Sequence, residues 1–104
     1  MRSWRVLAQS IAIDGVDVAV TYADVFVVIR EGEDGPGPTD WEATVRTEAR
    51  QHLQPGTYGF RAVAPDGHAL EGQAMLRFSD GQRHLFRGDG PLVGADGLRP
   101  DDLG

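Results

Sequence analysis

Residues able to do chemistry are few in this chain, and none of them falls into a recognisable site. Three histidines, His52, His68 and His84, are the only nitrogen ligands for zinc. A zinc site wants two of them at i, i+2 or i, i+4, so that one element aims both at the metal. Here no two are that close. His68 follows the turn Pro65-Asp66-Gly67, and His84 sits in a strand between Arg83 and Leu85. All three read as independent surface histidines.

Nucleophiles are equally sparse. Ser3, Ser10 and Ser79 are the serines, and none stands in a nucleophile-elbow setting. Ser79-Asp80-Gly81 reads as a hairpin turn, where serine and aspartate bond their own backbone. Aspartates that precede glycine (Asp14, Asp34, Asp66, Asp80, Asp89 and Asp96) are accounted for by the same turn chemistry. A general-acid pair of carboxylates joined only in space leaves no trace in a sequence.

Two glycine-rich stretches resemble ion sites and fail on spacing. The acidic run from Glu31 to Asp40 lacks the alternating ligands and terminal bidentate glutamate of a calcium loop. It reads as a solvated connection, and its two prolines and three glycines argue against regular structure there. The run from Gly88 to Gly94 has no dinucleotide fingerprint, no P-loop lysine and no helix start, and Asp89 would repel an anion. It reads as a bulged strand ending in a turn. Arg87-Gly88-Asp89 is an integrin-type tripeptide that a chain this rich in its three residues supplies by composition.

Large aromatics and arginines are what remain for recognition. Trp4, Trp41, Tyr22, Tyr58, Phe26, Phe60, Phe78 and Phe86 fall mostly at strand positions with apolar neighbours, which makes them core residues. If one end of a barrel were open, some would line a pocket. Arginines near that end would then meet an acidic ligand, although Arg61 and Arg77 project opposite the apolar face. The residues singled out as ligand or partner contacts are Trp41, Tyr58, Arg61, Arg77, His84 and Arg87. No cofactor and no metal are expected.

Composition narrows the classes further. The chain has 104 residues, room for one domain. Sixteen acidic residues outweigh ten basic ones, for a net charge of -6. That balance argues against a phosphate backbone and against anionic lipid as partners. Absence of cysteine removes disulfides, thiolate metal sites and a cysteine nucleophile. Every basic residue is arginine, and lysine and asparagine, which have A-rich codons, are missing. A GC-rich bacterial genome explains this simply. No stretch is long and apolar enough to span a bilayer. Arg2 and Arg5 before Val6-Leu7-Ala8 lack a following cleavage site, so the segment reads as a first strand in a cytoplasmic protein.

The elements that must carry these residues announce themselves by period two. Trp4 to Ile13 alternates in both sets. After the turn signal Asp14-Gly15, Val16, Val18, Val20 and Tyr22 share one half-buried face. Val25-Phe26-Val27-Val28-Ile29 is apolar on both faces, so it should be central or covered twice. Residues 41–47 alternate as a strand, although Thr39 with Glu42 forms a capping box and Trp41, Val45, Ala49 and Leu53 share a helical face. The strand is favoured, with a short helical turn at 48–53. Tyr58 to Ala64 follows, then Leu70, Ala74, Leu76 and Phe78 on one face, then Arg83 to Arg87, with 91–94 as a short extension. Residues 95–104 read as a flexible tail.

The expected fold is all-β: a small antiparallel barrel or two-layer sandwich of about seven strands in a single domain, residues 1–94. The alternative is α+β with one helix near 40–53. The expected role is a non-catalytic binding or accessory domain contacting a protein or small ligand, as a homodimer. The rival is a small β-barrel enzyme or ligand carrier with an acid- and histidine-lined pocket.

Overall fold

Alternating sequence becomes strand throughout, and no helix forms among the described residues. The computed structural model describes residues 2–32 and 35–94, and side chains within them apart from those of 2 and 30–39. Eight strands follow in order: β1 (Arg2–Leu7), β2 (Ser10–Ile13), β3 (Val16–Val18), β4 (Val20–Gly32), β5 (Gly35–Thr47), β6 (Thr57–Val63), β7 (Ala69–Ser79) and β8 (Arg83–Gly88). They form one antiparallel sheet, β1-β4-β5-β8-β7-β6-β2-β3, curled into a half-barrel. The all-β reading holds, and the helix near 40–53 does not form. β-branched Thr44, Val45 and Thr47 favour the strand, and β4 and β8 pair with it on both sides. The 48–53 segment is likewise free of helix.

The curl comes from a bend in the first strand. Trp4 and Val6 point inward from β1, yet Ile11 and Ile13 point inward from β2, which is the opposite parity. The switch falls at Ala8-Gln9. There Ala8 N–H donates to Ala23 O at 2.9 Å, and Gln9 N–H donates to Val63 O at 2.7 Å. One strand thus leaves β4 and joins β6 on the far side of the sheet. Both alternating sets of residues 4–13 are therefore half right, each for its own stretch.

Turn chemistry fixes the first hairpin. Asp14 (φ 50°) and Gly15 (φ 79°) both take positive φ, as a two-residue type I′ turn requires. Asp14 Oδ1 also accepts the Gly59 N–H at 2.7 Å, tying the turn to β6.

Two expectations need correction. The run 31–40 is not a loop: β4 reaches Gly32, β5 begins at Gly35, and Glu31 pairs with Pro36. Proline is tolerated because β8 pairs only with Glu42–Arg46, leaving the first part of β5 with a neighbour on one side alone. Bulges also reverse two of the expected faces. Register shifts between Val20 and Tyr22, and between Leu76 and Phe78, turn Tyr22 and Phe78 outward, 40% and 47% exposed. Val16, beside the first turn, is exposed as well. The expected tail, 95–104, lies outside the described residues.

The interior is filled by the chain itself. Trp41, Phe60 and Phe86 form an aromatic stack with centroids 5.6 and 5.5 Å apart, and Tyr58 meets Phe86 edge-on at 6.2 Å. Val25, Val27, Val45, Ile11, Leu70 and Ala74 complete the core around it. Each large side chain buried in this way contributes about 1.5–3 kcal/mol. After β8 the chain rejoins β7 as a strap: Val93 and Glu71 exchange N–H···O bonds of 2.6 and 3.0 Å, and Leu92 is buried beneath.

Candidate functional site

Pleating sends alternate residues of β1, β4, β5, β8 and β7 to the convex outer face of the sheet. Cross-strand register then arranges them in rows. Arg5, Phe26, Glu42, Arg87 and Met75 are successive partners across the five strands. Leu7, Asp24, Thr44, Leu85 and Phe78 form the next row. Tyr22, Arg46 and Arg83 form a third.

The first two rows mix large apolar side chains with charge. Phe26 is 39% exposed, Met75 40%, Phe78 47% and Leu7 56%. A cleft of about 360 Å³ opens here, lined by Phe26, Val28, Trp41, Glu42 and Arg87 among others. β4 is thus central, flanked by β1 and β5, with Val25 and Val27 in the core. Phe26 on its outer side is left without full cover.

Charges on this face are only partly spent. Arg5 pairs with Asp24 at 3.6 Å, and Tyr22 donates its hydroxyl to Asp24 Oδ2 at 2.6 Å. That hydrogen bond, followed by burial, holds the Tyr22 phenol above its ordinary value of 10.0. Glu42 and Arg87 face each other across β5 and β8 with opposite charge, yet make no ion pair.

The six residues singled out by sequence separate into three groups. Trp41 and Arg87 meet at the cleft, although the Trp41 ring is buried and its Nε1 donates to Gly90 O at 3.2 Å. Arg77 is exposed at the β7 bulge, beside Met75 and Phe78. The other three lie elsewhere. Arg61 pairs with Glu71 at 2.8 Å on the outside of β6 and β7, beside a second, shallow groove of about 510 Å³. Tyr58 packs into the core and donates its hydroxyl to Gln54 O.

His84 is a correction. It is not a surface histidine: it is fully buried, with Nδ1 2.8 Å from Ser79 Oγ and Nε2 without a partner. Burial pushes its pKa below the ordinary 6.5, against a smaller opposing pull from Asp80. Asp80 itself accepts backbone N–H bonds from Arg83 and Gln82, which lower its carboxyl pKa. His68 donates Nε2–H to Gly94 O at 2.8 Å and so ties down the strap.

Sequence reasoning did not single out Glu42, Met75, Phe78 or Leu85 as contact residues of an outer face. The one available signal was the two-sided apolar run 25–29, which implied an outer face wanting cover. Among the described residues no three His, Cys, Asp or Glu side chains form a metal-binding group, and no helix is long and apolar enough to cross a membrane.

No protein-family model, no curated protein and no solved structure matches the chain.

Proposed function

We propose that this chain is a non-catalytic binding module that contacts a protein partner through the outer face of β4, β5, β8 and β7. One observation carries the reading: the inside of the sheet is filled by its own side chains while Phe26, Met75 and Phe78 stay exposed outside. Apolar side chains grouped on an otherwise polar surface are what partner-binding faces present. Arg87, between Phe26 and Met75 in the row, and Arg77, beside Phe78, suit the arginine enrichment of such interfaces.

The rival reading, a barrel enzyme or ligand carrier, draws less support. Trp41 and Tyr58 spend their polar atoms on the chain's own carbonyl oxygens. His84 is sealed in the core rather than set in a mouth. A bacterial, cytoplasmic setting belongs to the same proposal, the all-arginine basic composition supporting its GC-rich bacterial part.

Affinity capture tests the face directly. Wild-type chain, Phe26→Asp/Met75→Asp and Arg61→Glu serve as baits in lysate of the native host. A protein held by wild type and by Arg61→Glu, but lost by the double variant, is the expected result. Equal capture by all three baits overturns the assignment of the face.

A further inference from the structure

The exposed row Phe26, Glu42, Arg87, Met75 has an internal symmetry that identifies a partner. Its members sit on four adjacent strands, β4, β5, β8 and β7, in direct register. With strands about 4.8 Å apart, the row is roughly 14 Å long. Its order is apolar, negative, positive, apolar. A two-fold axis running along the strands between β5 and β8 would reverse this order in a second copy. Glu42 then lies over Arg87 of the other copy, Arg87 over its Glu42, Phe26 over its Met75 and Met75 over its Phe26. Every facing pair is complementary.

We propose that the partner of this face is a second copy of the chain, docked about that axis. The inference rests on the reading of the outer face as a binding surface, and it commits that surface to one occupant. Closed two-fold dimers are the commonest assembly, and such an interface must be self-complementary as this row is. The in-plane axis at right angles fares worse. An axis across the strands through the row sets Glu42 on Glu42 and Arg87 on Arg87, and like charges so juxtaposed are costly.

One further observation agrees with the placement. Glu42 and Arg87 are neighbours within one chain yet form no ion pair there, so both charges remain for the second copy. Two rows further along the strands, Arg46 lies over Arg83 of the other copy, a like-charge contact that sets the limit of the complementary face.

Charge reversal in trans gives the test. Wild-type chain should sediment as a dimer at high concentration. Glu42→Arg makes the centre of the face wholly positive and Arg87→Glu makes it wholly negative. Each variant alone should weaken self-association on the order of 100-fold. Mixed in equal amounts, they should form a heterodimer near wild-type affinity, because each 42–87 contact between chains again joins opposite charges. Circular dichroism of each single variant confirms that it is folded before mixing.

A wild type that stays monomeric throughout overturns the second copy as occupant. A dimer indifferent to both reversals, or singles that do not rescue each other, overturns the axis. The binding-face reading fails separately, through the capture comparison of Phe26→Asp/Met75→Asp with Arg61→Glu.

Discussion

Gly88 lies flat against the indole of Trp41, so close that a Cβ at residue 88 would collide with the pyrrole edge of the ring. At the benzene end of the same ring, a Cβ on Gly72 would stand 2.9 Å from Trp41 Cζ2 and 2.8 Å from Pro91 O. Two hydrogen side chains thus make the slot that the largest side chain of the core occupies. Gly88→Ala should destabilise the fold by about 1–3 kcal/mol through overpacking. Urea unfolding followed by tryptophan fluorescence reads this directly. A midpoint equal to wild type would mean that Trp41 does not sit in the slot.

Acid should weaken the fold through His84. Its folded pKa lies below its unfolded value near 6.5, so the unfolded chain takes up the proton first. The stability that comes from keeping the ring neutral is full above pH 6.5 and is lost as pH falls through the interval down to the folded pKa. Asp80 adds a second, lower step, since its depressed pKa contributes stability above 3.8 that disappears on further acidification. Urea midpoints from pH 8 to pH 5 should fall for wild type. They should fall less for His84→Phe, and an equal fall in both would remove His84 as the cause.

Ser79→Ala leaves His84 Nδ1 without its partner in a ring whose Nε2 already has none. An unmet buried polar atom costs about 1–3 kcal/mol. Double-mutant cycles with His84→Phe should show coupling between the two positions; additive losses would mean the contact contributes nothing.

Leu92 tests whether the strap belongs to the core. Leu92→Ala should cost about 2–5 kcal/mol, as for other buried leucines. Leu92 packs beside Gly72 in the same slot, so Trp41 should also gain access to acrylamide quenching. Unchanged quenching and stability would make the strap a mere surface appendage.

Outside and inside should answer differently to truncation. Phe78→Ala, on the outer face, should change stability by no more than about 0.5 kcal/mol. Phe86→Ala, fully buried in the aromatic stack, should cost about 3–5 kcal/mol. Thermal melts of the two variants make the comparison, and similar losses would place Phe78 in the core.

What the sequence disclosed follows from how local each cause is. Asp14-Gly15 forms its turn from two residues' φ preferences, and residues 41–47 show their strand in their own alternation. Phe78 lies on the outer face because a bulge beside Arg77 shifts the period by one residue, and nothing in Leu-Arg-Phe marks it. The burial of His84 is not legible in its neighbours Arg83 and Leu85, which say nothing of the strands on either side. The row from Phe26 to Met75 was hidden for a deeper reason. Its members lie far apart in sequence, and only the pairing of β5 with β8 brings Glu42 to Arg87.

The bend at Ala8-Gln9 also bears on the order in which the molecule assembles. β4 with β5, β6 with β7 and β7 with β8 are joined by short connections, and hairpins of this kind close in about 1–10 μs. The seam between β2 and β6 instead waits for Ser10 to find Val63. Loop-closure entropy delays such distant contacts until nearer ones have shortened the path. Zipping of that seam and the equally non-local pairing of β5 with β8 are accordingly the later events, and opening the seam is a route by which amide protons inside the half-barrel would meet solvent.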